Sequence, residues 1–154
     1  MGFRSYIGIV RKNGNVEFAY CHNYGGLDEN GGILFSYYGK NEIEELLKGG
    51  EISVLDFEIS TTYFYEKNNN FGTKKFDDLE NALNNFKKNK DIEYIYLYFE
   101  KENKWYVDSN YYRVPNLKSL EQELIKYEKK NKVDVRYKTN EKMKLYCKNI
   151  SLML

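Results

Sequence analysis

At 154 residues, with 42% hydrophobic and 31% charged side chains, the chain has the size and composition of one globular domain with its own core, which excludes wholesale disorder. The net charge of +1 excludes the dense acidic surface of a DNA mimic. It also hides an asymmetry, because residues 117–154 carry ten Lys/Arg against five Asp/Glu, leaving 14 against 18 for residues 1–116. The expected organisation is a single domain over 1–154 with a basic C-terminal helix and tail from about 117. Lys129, Lys130, Lys132 and Arg136 in that tail are candidate contacts to an anionic partner, a solvated helix face being the plainer use of such a run. No stretch reaches the ~18 apolar residues of a membrane span. Met1 to Val10 lacks the charged start and long apolar run of a signal peptide. A cytoplasmic protein with no membrane contact is expected. Cys21 should be a reduced, partly buried thiol, a disulfide to Cys147 being the alternative.

In chain order, residues 3–11 and 16–22 read as a β-hairpin around Asn13-Gly14, a pair suited to a two-residue type I′ turn. That turn would place Ile9 opposite Phe18, Ile7 opposite Tyr20 and Ser5 opposite His22. These residues and Phe3 would then share the core face, with Arg4, Tyr6, Ala19 and Cys21 on the other. A Gly-rich loop follows from Asn23 to Gly32. Residues 33–38 fit a short helix or a strand, and periodicity does not choose between them. Asn41 should cap a helix over 41–48 that buries Ile43, Leu46 and Leu47 and ends at Gly49-Gly50.

Residues 51–55 and 57–66 are strand-like, and Asn68 to Gly72 a loop. Asp77 or Asp78 should cap a helix running to about Lys88, with Leu79, Ala82, Leu83 and Phe86 inward. A second hairpin spans 92–100 and 104–109. After Pro115, Asn116 should cap a helix to about Lys130 with Leu117, Leu120, Leu124 and Tyr127 on one stripe. Residues 133–138 fit a last strand; 142–154 are ambiguous. Hairpins with helices between them predict an α+β domain with a mostly antiparallel sheet and two or three helices packed on it.

Three segments together carry a resemblance. Met1-Gly2-Phe3-Arg4-Ser5-Tyr6-Ile7-Gly8-Ile9 is similar to a Met-Gly-Thr-Arg-Ser-x-Ile-Gly start. Tyr20-Cys21-His22, with the Gly-rich loop and Ile33-Leu34 to Tyr38 behind it, resembles a Tyr-Cys-His-Trp-Asp-Gly-Tyr segment running into a Leu-rich element. Leu46-Leu47, Gly49, Ile52-Ser53 and Leu55 resemble Leu-Leu-x-x-Gly-x-Ile-Ser-x-Leu, and the hairpin from Glu93 to Val107 resembles the same family's second half. These are features of a family of small phage- and prophage-encoded proteins, matched in order over roughly residues 1–110. Asn23-Tyr24 and Tyr37 depart from its Trp-Asp and His, so any role of those polar groups does not carry over. The resemblance implies a phage accessory protein in the host cytoplasm. Such a protein would counter host defence by blocking a defence protein or ribonucleoprotein, or by sequestering a signalling nucleotide.

The residues themselves point to binding before chemistry. Adjacent strand side chains face opposite ways, so Cys21 and His22 form no nucleophile–base pair. His22 is the only histidine. A Ser5–His22 pair across the hairpin is possible but has no third group to orient it. Two distant cysteines and one histidine give no zinc-like spacing. The expectation is no enzyme, no metal and no cofactor. The Gly-rich loop lacks P-loop and dinucleotide patterns, and its glycines read as conformational. Tyr94, Tyr96 and Tyr98 alternate with Ile95, Leu97 and Phe99. Half-burial of that ladder is the plainer expectation; exposed, it would stack on bases or dock on a protein. Arg4, His22 and Tyr24 join these tyrosines as candidate binding residues, Arg4 or the Gly-rich loop serving the phosphates of a nucleotide. A homo-oligomer remains compatible with all of this.

Overall fold

The computed structural model describes residues 2–65 and 72–137. Their elements, in order, are β1 (Ser5–Val10), β2 (Val16–Cys21), a π-helical turn (Leu27–Gly31), α1 (Gly32–Tyr37), α2 (Lys40–Lys48), β3 (Ile52–Val54), a 3-10 turn (Ile59–Thr61), β4 (Tyr63–Phe64), β5 (Lys74–Phe76), α3 (Leu79–Lys88), β6 (Tyr94–Phe99), β7 (Lys104–Ser109), β8 (Lys118–Ser119) and α4 (Leu120–Asn131). The strands form one sheet in the order β4-β3-β2-β1-β6-β7-β8, with β5 also on β2. Most pairings are antiparallel, but β1–β6 and β2–β3 are parallel. The fold is α+β.

Helices cover both faces. Leu34 of α1, Ile43, Leu46 and Leu47 of α2, and Leu120 and Leu124 of α4 pack with Ile7, Ile9, Ala19, Cys21, Tyr96 and Tyr98. On the other face Ala82, Leu83 and Phe86 of α3 pack with Tyr6, Phe18, Ile95 and Leu97. The central strands are therefore buried on both sides, and each face of the sheet supplies its own core.

The hairpin register differs from expectation by one residue. Ser5 lies opposite Cys21, Tyr6 opposite Tyr20, Ile7 opposite Ala19 and Gly8 opposite Phe18. The loop is five residues, not two. Only Gly14 takes positive φ, at 93°, and the Asn13 side chain accepts from the Asn15 amide at 3.0 Å. The Arg11 amide donates to the Asn15 carbonyl and Gly14 to that of Arg11. A one-residue slip turns every β2 side chain to the other face. Ala19 and Cys21 thus join Ile7 and Ile9, while Phe18, Tyr20 and His22 join Tyr6. A Cβ on Gly8 would stand 2.1 Å from the Glu17 carbonyl oxygen, so glycine is what lets β1 and β2 approach there.

Elsewhere the outcomes are mixed. Asp78 caps α3 by accepting from the Asn81 amide at 2.8 Å. The 33–38 segment is helical, and α2 begins at Lys40 with Gly39, not Asn41, as its cap. Ser119 caps α4, three residues beyond the expected Asn116. Asn116 instead donates its amide to Asp108, and Leu117 packs on the α3 side. The second strand-like stretch keeps only Tyr63 and Phe64 as strand, and β5 was not expected. Residues 133–137 run as an irregular strap, not a strand. The expectations for 66–71 and for 138–154, Cys147 included, fall outside the described residues.

Candidate functional site

The tyrosine ladder is not a surface. Tyr96 is fully buried and Tyr98 is 6% exposed, because α1 and α4 cover that face of β6. The Tyr96 hydroxyl donates to the buried Gly25 carbonyl at 2.6 Å, and that of Tyr98 donates to the exposed Asn103 side chain at 3.1 Å. Tyr94 is half-buried, stacked on Tyr96 and edge-on to Phe3. None of the three is a stacking platform.

The Gly-rich loop is committed internally as well. Gly25 donates to Phe3, Gly31 to Gly26, and Gly32 to Glu29 and Leu27. Its hub is Asn30, fully buried, whose side-chain nitrogen reaches Ser5, Cys21 and the Asn23 carbonyl. Cys21 is a free, buried thiol, and burial raises its pKa to about 11. His22 sits on the opposite face, its Nδ1 2.5 Å from the Tyr20 hydroxyl, with Tyr65 edge-on nearby. The Ser5–His22 pairing considered from sequence does not form, since the observed register places Cys21 opposite Ser5. Tyr24 is 41% exposed and left-handed at φ 58°, a conformation a tyrosine adopts at some cost.

At the C-terminal end of α4, Lys129, Lys130 and Lys132 are exposed. Arg136 is not free. Its guanidinium lies 2.8 Å from Glu128 Oε1, while Oε2 of Glu128 accepts from the Val135 and Arg136 amides at 2.9 and 3.0 Å. This clamp lays the 133–137 strap across α1. A Cβ on Gly32 would meet the Val135 carbonyl at 2.2 Å, and the Tyr137 amide donates to Ser36. Hydrogen bonding from Arg136, reinforced by the two amides, holds the Glu128 carboxyl down to about 2, well below the usual carboxylate range. A group with a depressed folded pKa contributes stability above its unfolded value and loses it as the pH falls through the folded one. The strap should therefore be firm above about pH 4.5 and released between there and pH 2. Amide exchange at Val135 and Arg136 reads this directly, and uniform protection down to pH 2 would contradict it.

Two surface features remain. The first is the loop after β7. Residues 111–116 are exposed throughout, with Tyr111 at 85%, Val114 at 68% and Tyr112 at 48%. Its root is held firmly. Lys87 Nζ lies 3.1 Å from Asp108 Oδ1 and donates to the carbonyls of Ser109 and Tyr112, both charged side chains being more than nine-tenths buried. Asp108 also accepts from the Ser109 and Asn116 amides. Asn110 reaches the carbonyls of Phe86, Asn89 and Ile92, so the loop is pinned to the end of α3.

The second is a cleft of about 410 Å³ where α3 stops short of the sheet, lined by Arg4, Tyr6, Tyr20, Glu51, Lys74 and Asp91 among others. Only Arg4 was singled out from sequence; no local pattern marks the rest. Burial raises the Tyr20 phenol above its usual range, against the opposing pull of the Arg4 cation.

Among the described residues there is no group of three or more His, Cys, Asp or Glu that could hold a metal, and no helix is long and apolar enough to cross a membrane. Comparison with protein-family models, with curated proteins and with solved structures finds no match for this chain.

Proposed function

We propose that this protein acts by binding a protein partner through the 111–116 loop and blocking it sterically. The observation that carries this reading is the pairing of an exposed Tyr111-Tyr112-Arg113-Val114 tip with a root fixed by the buried Lys87–Asp108 pair. Tyrosine and arginine dominate the energetics of protein interfaces, and a loop already ordered before contact loses less freedom on binding. Pro115 further restricts Val114 and stiffens the tip. The sheet edges are poor alternatives, since β4 and β8 are two residues each and offer little backbone to a pairing strand. The setting is the one implied by the likeness to phage-encoded proteins: a host-defence protein or ribonucleoprotein as the target.

The test is capture from host lysate with and without nuclease, comparing the wild-type chain with Tyr111→Asp and Val114→Asp. Each substitution should weaken capture by about 2 kcal/mol or more, the scale of an interface hot spot. Each should leave stability within about 0.5 kcal/mol of wild type, because neither side chain packs on the core. Equal capture by all three chains would remove the loop from the interface.

A further inference from the structure

We infer that the cleft between β1, β2, β5 and the end of α3 is a small-ligand site whose chemistry fits a ribonucleoside monophosphate with an exocyclic amine on its base. This is independent of the protein-binding loop.

The argument begins with Tyr6. The residue is 4% exposed, is stacked on Phe18 with ring centroids 4.3 Å apart, and lines the cleft. Its hydroxyl oxygen accepts from Lys74 Nζ at 3.2 Å and from the Asn89 amide nitrogen at 3.0 Å. Both of its acceptor positions are then in use, and its own hydrogen has no acceptor among the described residues. A nearly buried phenol with a donor to spare calls for an acceptor from outside. The two donors polarise the O–H further, which suits a charged oxygen.

The surrounding charges agree. Lys74 sits over the Tyr6 ring, 5.2 Å from its centroid, and Arg4 stands beside Tyr20. Both cations are exposed, and neither forms an ion pair among the described residues. Lys74 and Arg4 thus share the cleft with Tyr6, and no protein carboxylate pairs with either cation among the described residues. Glu51 and Asp91 line the same cleft, also without a cationic partner among the described residues. A simple anion would leave those carboxylates unused and would be repelled by them. A ligand that carries both a phosphate and N–H donors answers both sets. Tyr20, half-buried and acted on by both Arg4 and Glu51, gives such a ligand's ring an aromatic wall. The volume lies within the range of sites that enclose small molecules. Adenine, cytosine and guanine carry amino groups that a carboxylate can accept from, and uracil does not.

Calorimetric titration of the full chain with AMP, CMP, GMP, UMP and inorganic phosphate tests this. At least one amine-bearing nucleotide should bind saturably and more tightly than UMP, and phosphate alone should bind more weakly than that nucleotide. Tyr6→Phe keeps the ring packing and deletes the donor; it should weaken binding about tenfold or more. Lys74→Met should do the same and flatten the salt dependence, while Lys101→Ala on the distant β6–β7 turn should bind as wild type. Melting of each variant shows that it is folded. No saturable binding by any nucleotide, equal binding of phosphate, a preference for UMP, or full binding by folded Tyr6→Phe and Lys74→Met would each overturn the assignment. Because none of these readouts involves the 111–116 loop, failure here leaves the protein-binding reading standing, and the reverse also holds.

Discussion

Lys87→Met should lower the stability of the domain by about 3–5 kcal/mol, the cost of leaving one member of a buried ion pair without the other. The Lys87 side chain is 7% exposed and that of Asp108 1%, so water does little to screen or replace the lost partner. The ammonium also satisfies the carbonyls of Ser109 and Tyr112, and both lose a donor in the variant. Asp108 keeps the Ser109 and Asn116 amides, which places the expected loss nearer the lower bound. Urea unfolding at unchanged m reads the difference. A loss below about 1 kcal/mol would reduce the pair to the rank of a surface salt bridge. The same variant should loosen residues 109–116, visible as faster amide exchange at Tyr112 and Asn116, and should weaken partner capture while Tyr111 is still present. Asp108→Asn keeps only one acceptor oxygen where the Ser109 and Asn116 amides use two, and it leaves the ammonium without its counter-charge, so it should cost at least as much as Lys87→Met.

Tyr96→Ala should cost about 3–5 kcal/mol, as other large-to-small changes at fully buried aromatic positions do. Tyr96 is 0% exposed and touches Tyr94, and a Cβ on Gly31 would stand 3.4 Å from its ring. Tyr96→Phe separates the two parts of that cost. It leaves the ring and removes only the donor to the Gly25 carbonyl, for a loss of about 1–3 kcal/mol with a buried carbonyl left unpaired. Near-wild-type stability of Tyr96→Ala would mean that the ladder packs less tightly than its burial implies. Tyr96 joins β6 to the Gly-rich loop, so Phe there should also speed exchange of the Gly25 amide, which is bonded to Phe3.

These two residues mark where sequence reasoning stops. The stripe of α3, its Asp78 cap, the β6–β7 hairpin and the α+β class follow from local pattern, because each is decided by neighbours in the chain. The register of the first hairpin does not. Asn13-Gly14 suits a two-residue turn, but the chain closes a five-residue loop in which Asn13 serves through its side chain, and the faces exchange. The tyrosine ladder is buried beyond the half-burial its pattern suggests, for a related reason. Alternating tyrosine and aliphatic residues suggests a half-buried face, yet helices cover both faces, and the Tyr96 phenol finds the Gly25 carbonyl within the core. The parallel β1–β6 pairing and the cleft share one difficulty. Arg4, Glu51, Lys74 and Asp91 lie far apart in the chain and meet only through the sheet, so no motif marks them. The composition of the 111–116 loop is visible in the sequence; what sets it apart is burial of its root, which only the fold displays.

The parallel pairing of β1 with β6 governs how the molecule comes into being. Ser5–Val10 aligns with Tyr94–Phe99, so β1 cannot gain its second neighbour until the 83 residues between the two strands (11–93) have been synthesised. At about 5–20 residues per second the nascent β1–β2 hairpin waits several seconds with an open aliphatic edge at the mouth of the ribosome. Pairing over that distance is also slow after release, since closing a long loop precedes any reward from contact. Synthesis at lower temperature, or with a holdase present, should therefore raise the soluble yield more for this chain than for a domain of the same size whose first strand pairs only with its neighbours in sequence.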